Sequence, residues 1–141
     1  MKRNASAMWN GDLKSGHGTI STDSGVLSNT QYSFATRFEN GNGTNPEELV
    51  AAAHAGCFSM ALSAQLAEAG LVAQSIQTKA TVTLEKSGGG FAIPAVHLSL
   101  VARIPGASQQ AFDAAADKAK TGCPISKLLN ATITLDKKLE A

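Results

Sequence analysis

The chain has 141 residues, 43% hydrophobic and 16% charged, which suits one domain with a sizeable core. Its 12 basic and 11 acidic residues leave a formal net charge of +1, which argues against electrostatic capture of nucleic acid or an anionic membrane. Aromatic residues are only 5%, so a platform for stacking bases is not expected either.

The first forty residues predict three strands. Residues 5–9 alternate between apolar and polar side chains, and residues 16–22 form a Gly-rich second segment after a turn. Residues 32–38 alternate at period two and predict a third strand, with Arg37 on the face opposite the aromatic side chains. Residues 40–43, Asn-Gly-Asn-Gly, then form a loop.

A long helix is predicted next. Asn45 can cap it, Pro46 suits its first position, and Glu48 stands three residues after the cap. Gly70 is a natural stop after about residue 69. Because Ala, Leu, Met, Phe and Cys occur nearly all round this segment, we expect a helix buried at the centre of the fold.

The second half predicts strands over 75–85 and 91–104, with Pro94 marking a bulge or an edge. Ser108 caps a helix to about residue 121, Cys123 and Pro124 open a short one, and residues 132–139 form a last strand. The order β-β-β-α-β-β-α-β predicts one α+β domain over 1–141, with helices on an antiparallel sheet.

We expect a cytoplasmic protein. The first ten residues begin with basic side chains but lack the apolar run of a secretion signal. The Ala-rich stretch 49–64 is expected to be too short and too polar to span a membrane. In a reducing compartment the two cysteines, Cys57 and Cys123, are expected to be free of a structural disulfide.

Both cysteines admit a structural and a chemical interpretation. Cys57 lies in the middle of the long helix, where a small core side chain is the commoner role. Cys123 precedes Pro124 at a helix start, where free N–H groups favour a thiolate, although it could be an ordinary cap. His54 shares a helix face with Cys57, but no further metal-binding spacing accompanies the pair. A hydrogen-bonded interior or interface histidine is therefore expected.

Arg37 and Glu47 are equally ambiguous on pattern alone. Arg37 could be a solvated side chain on the outer face of a strand. Glu47 could simply favour the positive end of the helix dipole.

Two segments carry a resemblance to a known family. Residues 44–49 (TNPEEL) with 52–62 (AAHAGCFSMAL), and residues 119–126 (AKTGCPIS), resemble the osmotically inducible protein C branch of the OsmC/Ohr family. The opening segments 9–12 (WNGD) and 21–27 (STDSGVL) are similar to the same branch, and Arg37 within FATRFE matches its arginine placement.

The resemblance implies an antioxidant enzyme of osmotic and oxidative stress that reduces organic hydroperoxides without metal, flavin or other cofactor. It implies an intertwined homodimer with active sites at the subunit interface. Cys57 would attack the peroxide and become a sulfenic acid, and Cys123 would then form a disulfide with it. Arg37, oriented by Glu47, would stabilise the thiolate, and a dithiol of the lipoyl type would be the reductant.

Two further expectations concern the substrate and the assembly. A pocket formed by the apolar residues near Cys57 would favour bulky hydroperoxides; these residues are Val50, Ala53, Phe58, Met60 and Ala61. Glu47 and Cys57 are ten residues apart, ~15 Å along one helix, so a shared site would take Glu47 from the partner chain. The competing function is a non-catalytic carrier of a small hydrophobic ligand at the dimer interface.

Overall fold

A computed structural model describes residues 1–141 as a mixed α+β chain. The elements are β1 (Ala5–Asn10), β2 (His17–Thr22), β3 (Thr30–Tyr32), α1 (Phe34–Phe38), α2 (Pro46–Glu68), β4 (Ser75–Ser87), β5 (Gly90–Arg103), α3 (Gln109–Gly122), α4 (Pro124–Leu128) and β6 (Thr132–Glu140). The backbone divides into two compact units, Met1–Leu49 and Val50–Ala141. The single domain over 1–141 stays a prediction.

The first unit contains a three-stranded antiparallel sheet in the order β1-β2-β3. Ala5 pairs with Thr22 at one end of the hairpin, and Trp9 pairs with Gly18 near the other. The Trp9 and Tyr32 rings lie 5.4 Å apart, and a Cβ on Gly18 would come within 2.8 Å of Trp9 and 2.5 Å of Tyr32. Glycine at position 18 therefore lets the two rings approach each other over β2.

The strand predicted over 32–38 is wrong beyond Tyr32, because the chain turns there into helix α1. Ser33 caps the helix: its hydroxyl accepts from the Thr36 amide at 3.2 Å, and the Thr36 hydroxyl accepts from the Ser33 amide at 2.8 Å. This reciprocal capping box satisfies two amides that a strand would have paired with a neighbour. Phe34 and Phe38 are then four residues apart on one helix face, with their rings at 4.8 Å.

The ends of helix α2 follow the predicted signals. The Glu48 amide donates to Asn45 Oδ1 at 2.7 Å, which confirms the cap. At the other end Gly70 adopts φ +74°, a conformation that side chains disfavour, and the helix stops.

The expectation that α2 is buried all round is wrong for the single chain. Its buried residues form one stripe, His54, Phe58, Leu62 and Leu66, within the core of the second unit. By length and composition alone, the 23-residue helix is also long and apolar enough to cross a membrane. The expectation that its stretch 49–64 is too short and too polar to do so is therefore wrong. A core helix meets the same criteria, and the buried stripe of α2 packs as such a helix does.

The second unit contains the sheet β4-β5-β6, in which β5 is central. The predicted face of β5 is confirmed, since Val96, Leu98, Leu100 and Ala102 are all buried. The bulge near Pro94 is confirmed as well, because the β4–β5 register shifts between Thr83 and Glu85, opposite Ala95 and Ala92. The sheet is only partly antiparallel, since β6 pairs with β5 in parallel.

The short helix that carries the second cysteine follows directly from α3. Ser108 caps α3 by accepting from the Ala111 amide at 3.1 Å, as predicted. Cys123 is both the C-cap of α3 and the N-cap of α4, and its amide donates to the Ala119 carbonyl at 2.9 Å. Pro124 occupies the first position of α4, where a missing amide hydrogen does no harm.

Candidate active site

Two cysteines separated by 66 residues meet as free thiols. Cys57 lies on α2 and is half-buried, whereas Cys123, at the start of α4, is fully buried. The Cys123 thiol donates to Cys57 Sγ, and the two sulfurs are 2.8 Å apart. A disulfide bond requires about 2.05 Å, so only a small movement separates the two sulfurs from the distance at which an oxidant would join them.

The surroundings of Cys57 favour its neutral form. Burial raises the pKa of the Cys57 thiol, and the adjacent Cys123 sulfur raises it further. A hydrogen bond from the backbone of Ile125, in the first turn of α4, opposes this and lowers the pKa. None of these contributions from Val50–Ala141 is a cation, so this unit supplies no positive charge to stabilise a thiolate at Cys57.

Arg37 and Glu47 form the second predicted pair, within the first unit. Arg37 Nε and Nη2 both donate to Glu47 Oε1, at 3.0 and 2.8 Å. The arginine side chain is 39% exposed and the glutamate 12% exposed, and Glu47 Oε2 is buried without a partner. Glu47 thus holds one edge of the guanidinium, and Nη1 makes no contact with it.

A cavity of about 270 Å³ adjoins this ion pair in the first unit. Arg37 is its only charged residue; the other lining residues are Trp9, Leu13, Tyr32, Ser33, Phe34, Phe38 and Pro46. The sequence predicts an apolar pocket around Cys57 and does not reveal these aromatic walls. The sequence does contain an indication of this cavity, namely four aromatic residues in β1 and near Arg37. They come together only because residues 34–38 form helix α1, which the sequence did not predict.

His54 confirms the expectation of a hydrogen-bonded interior histidine. Its side chain is 0% exposed, and Nε2 lies 2.7 Å from Ser126 Oγ on α4. Burial lowers the pKa of His54, so the ring is neutral at pH 7. No other potential metal ligand lies close enough to His54 and Cys57 to form a group of three.

The four predicted site residues therefore meet as two pairs, Arg37 with Glu47 and Cys57 with Cys123, each within one unit. A mixed α+β chain that holds two distant cysteines side by side as free thiols belongs to the class of dithiol proteins.

Comparison with known proteins gives the family. The model of the OsmC-like protein family matches residues 39–138. The chain is 53% identical over 135 residues to Peroxiredoxin OsmC of Escherichia coli, covering 96% of this chain and 94% of that one. It is 34% identical over 100 residues to an organic hydroperoxide resistance protein of Xanthomonas axonopodis pv. citri, covering 67% and 68% of the two chains.

A solved structure supports the same assignment. The crystal structure of the organic hydroperoxide resistance protein OhrB of Bacillus subtilis aligns with a TM-score of 0.68 and 26% identity, covering 97% of this chain and 98% of that one. The chain belongs to the OsmC-like protein family, and the family and fold class predicted from the sequence are confirmed.

Proposed function

We propose that the protein is a cysteine-based peroxidase that reduces organic hydroperoxides to alcohols. The observation that carries the proposal is the pair of free thiols 2.8 Å apart, one half-buried and one fully buried. The relatives named peroxiredoxin and organic hydroperoxide resistance protein support the same chemistry.

The different burial of the two cysteines supports different roles. Cys57 is the more accessible sulfur and would attack the distal peroxide oxygen. The O–O bond breaks, the alcohol leaves with a proton, and Cys57 becomes a sulfenic acid. Cys123 then attacks this sulfur, the S–O bond breaks, water leaves and a Cys57–Cys123 disulfide forms. A dithiol, which we propose to be of the lipoyl type, reduces the disulfide by exchange.

Thiolate formation at Cys57 needs a cation, and Arg37 is our candidate. An ordinary cysteine is only about 3% thiolate at neutral pH, and burial makes the thiolate of Cys57 still less favourable. The guanidinium of Arg37 is held by Glu47 through one edge only, which leaves donors for a thiolate and a peroxide oxygen.

We propose that Glu47 acts on the Cys57 of the partner chain. Both residues belong to α2, and ten residues of helix correspond to ~15 Å of rise. A Glu47 carboxylate therefore cannot reach the Cys57 sulfur along its own helix. Two copies of α2 packed across a homodimer would bring Glu47 and Cys57 together. Arg37 would then come from the same chain as the Glu47 that it contacts.

The exposed face of α2 supports the homodimer. Met60 is 78% exposed, and its exposed neighbours are small and uncharged: Ala52, Ala53, Gly56, Ser63, Ala64 and Ala67. An uncharged surface of this length favours association. Ala64→Lys should convert dimer to monomer in sedimentation equilibrium, whereas Ala114→Lys, at an exposed alanine of α3, should not. A dimer unaffected by Ala64→Lys would contradict this arrangement.

The cavity beside Arg37 supports an organic substrate. Its aromatic walls would receive the apolar group of the hydroperoxide while Arg37 faces the peroxide oxygens. Burying apolar surface contributes about 25 cal/mol per Å², which hydrogen peroxide cannot gain. We therefore propose a preference for alkyl or aryl hydroperoxides.

A thiol count tests the proposal. Treatment of the reduced protein with one equivalent of cumene hydroperoxide should lower the free thiols from two to zero per chain and release one equivalent of cumyl alcohol. Unchanged thiols would refute the peroxidase and favour a non-catalytic carrier of a small hydrophobic ligand. We also propose a cytoplasmic location, which the two free thiols support and which cell fractionation would test.

A further inference from the structure

Helices α2 and α4 are joined by two adjacent side-chain contacts. Cys57 Sγ meets Cys123 Sγ at 2.8 Å, and His54 Nε2 meets Ser126 Oγ at 2.7 Å. His54 is three residues before Cys57, and Ser126 is three residues after Cys123. Residues three apart share a helix face, so the histidine contact lies one turn from the thiol contact on both helices.

His54 has one hydrogen-bonding partner in the core. Its ring is fully buried, Nδ1 has no partner, and Nε2 has only the hydroxyl of Ser126. The other buried positions of the α2 stripe are Phe58, Leu62 and Leu66. A hydrocarbon at position 54 would fill the space without an unsatisfied nitrogen, but a directional hydrogen bond also fixes where Ser126 lies.

Apart from the fully buried Cys123, which joins it to α3, helix α4 has few contacts that fix its position. It has five residues and none of them is fully buried. Ile125 and Leu129 pack against the core but are only partly buried. Apolar contacts of this kind are not directional, so they allow a short helix to shift or fray.

The position of α4 matters because its start faces Cys57. Cys123 brings its sulfur there, and the backbone of Ile125 brings a hydrogen bond to the Cys57 sulfur. Movement of α4 by an ångström would change both contacts, and reactions between positioned groups are sensitive to shifts of this size.

We infer that the hydrogen bond between His54 and Ser126 is a positioning contact for the thiol pair. It holds α4 against α2 and thereby sets how readily Cys57 and Cys123 join in a disulfide. The inference rests on the proposed function, in which this disulfide is the product of each turnover. Without the contact, α4 frays in the dithiol state, and forming the disulfide must order it again.

The test is a redox equilibrium that needs no hydroperoxide. The protein is equilibrated with reduced and oxidised dithiothreitol; two protein thiols lose two electrons and two protons, and the dithiothreitol disulfide is reduced. Alkylation and mass spectrometry then give the ratio of disulfide to dithiol. Ser126→Ala should shift the equilibrium about tenfold toward the dithiol, the size expected for one lost hydrogen bond.

The matched control is Ser59→Ala. Ser59, also on α2, shares a 2.8 Å hydrogen bond with Thr78, so its loss affects stability without touching α4. A shift of less than twofold for Ser126→Ala, or an equal shift for Ser59→Ala, would overturn the inference.

A second pair of variants guards against a folding defect of Ser126→Ala. Ser126→Thr and Ser126→Val have the same shape and differ in the hydroxyl alone. Threonine should keep the wild-type equilibrium and valine should lose it; equal values for the two would overturn the inference. Failure of the proposed function is separate, because it would appear as unreacted wild-type thiols in cumene hydroperoxide.

Discussion

The two pairs of candidate residues differ in the way they are stabilised. Arg37 and Glu47 are charged, paired and open to solvent on the arginine side. Cys57 and Cys123 are thiols that belong to the apolar core of the second unit or its edge. Burying a thiol costs little, whereas burying a charge is expensive unless it is paired.

In our proposed mechanism, neither pair is therefore sufficient by itself to reduce a hydroperoxide. The thiols lack a cation within their own unit, so burial keeps the pKa of Cys57 high. The guanidinium has a carboxylate and an aromatic cavity, but its own unit contains no cysteine. We therefore propose that the two pairs act together across a homodimer.

The largest effects are expected at the cysteines. Cys57→Ser should lower hydroperoxide consumption by about 10³-fold or more, because the nucleophile is lost. Cys123→Ser should still consume one equivalent and stop at a sulfenic acid that dimedone traps on Cys57, as seen by mass spectrometry. Normal turnover by Cys57→Ser would show that the two roles are assigned wrongly.

Loss of the charged pair should have the next largest effect. Arg37→Gln should reduce kcat/KM for cumene hydroperoxide about 10²-fold, the usual scale for a lost charge-stabilising donor. It should also shift the pH dependence of Cys57 alkylation by iodoacetamide to higher pH, because the thiolate loses its cation.

Mixed dimers test which chain supplies Glu47. Cys57→Ser subunits combined with Glu47→Gln subunits contain one intact site if Glu47 acts in trans, so activity should return toward half per dimer. If Glu47 acts in cis, every site carries a defect and no activity returns. Native mass spectrometry confirms that heterodimers are present.

A smaller effect is expected from the cavity. Phe34→Ala removes part of its apolar wall and should lower kcat/KM for cumene hydroperoxide about tenfold while leaving hydrogen peroxide reduction nearly unchanged. Phe91→Ala, at an aromatic residue of β5 that is 53% exposed, is the control and should leave both rates unchanged. Equal losses for the two peroxides at Phe34→Ala would show that the cavity does not bind the apolar group of the hydroperoxide.

The smallest effect concerns pH and His54. Burial holds the folded pKa of His54 below the unfolded value of about 6.5, so below pH 6.5 the unfolded chain binds a proton that the folded chain does not. The free energy of unfolding should therefore be unaffected at neutral pH, fall as the pH drops below 6.5, and level off once the pH is below the lowered folded pKa of His54. The free energy of unfolding, measured with urea at several pH values, should depend less on pH for His54→Gln than for Ser59→Ala, which retains the histidine.

Local signals predicted the element ends well. Asn45 and Ser108 cap their helices through side-chain hydrogen bonds, and Gly70 adopts the positive φ that ends α2. The alternation of β5 and the bulge near Pro94 also follow from the residues themselves. Caps, turns and alternation act over a few residues, so the sequence by itself determines them.

Helix α1 shows where a local pattern is ambiguous. Residues 34–38 alternate as a strand would, but they also place Phe34 and Phe38 on one face of a helix. The reciprocal hydrogen bonds of Ser33 and Thr36 decide for the helix, and only the folded backbone makes them visible. The aromatic cavity was missed for the same reason.

By itself the sequence determined the α+β class, the order of most elements, the family and the four candidate site residues. The family resemblance already implied that Cys57 meets Cys123 and that Glu47 orients Arg37, and the structure shows both contacts. The tertiary structure alone revealed that Ser126 is the partner of the buried His54. It also decided that one face of α2 is buried in the single chain while the opposite face is open. The physical reason is that these contacts join residues up to 72 positions apart, and such contacts depend on how helices pack rather than on local propensity.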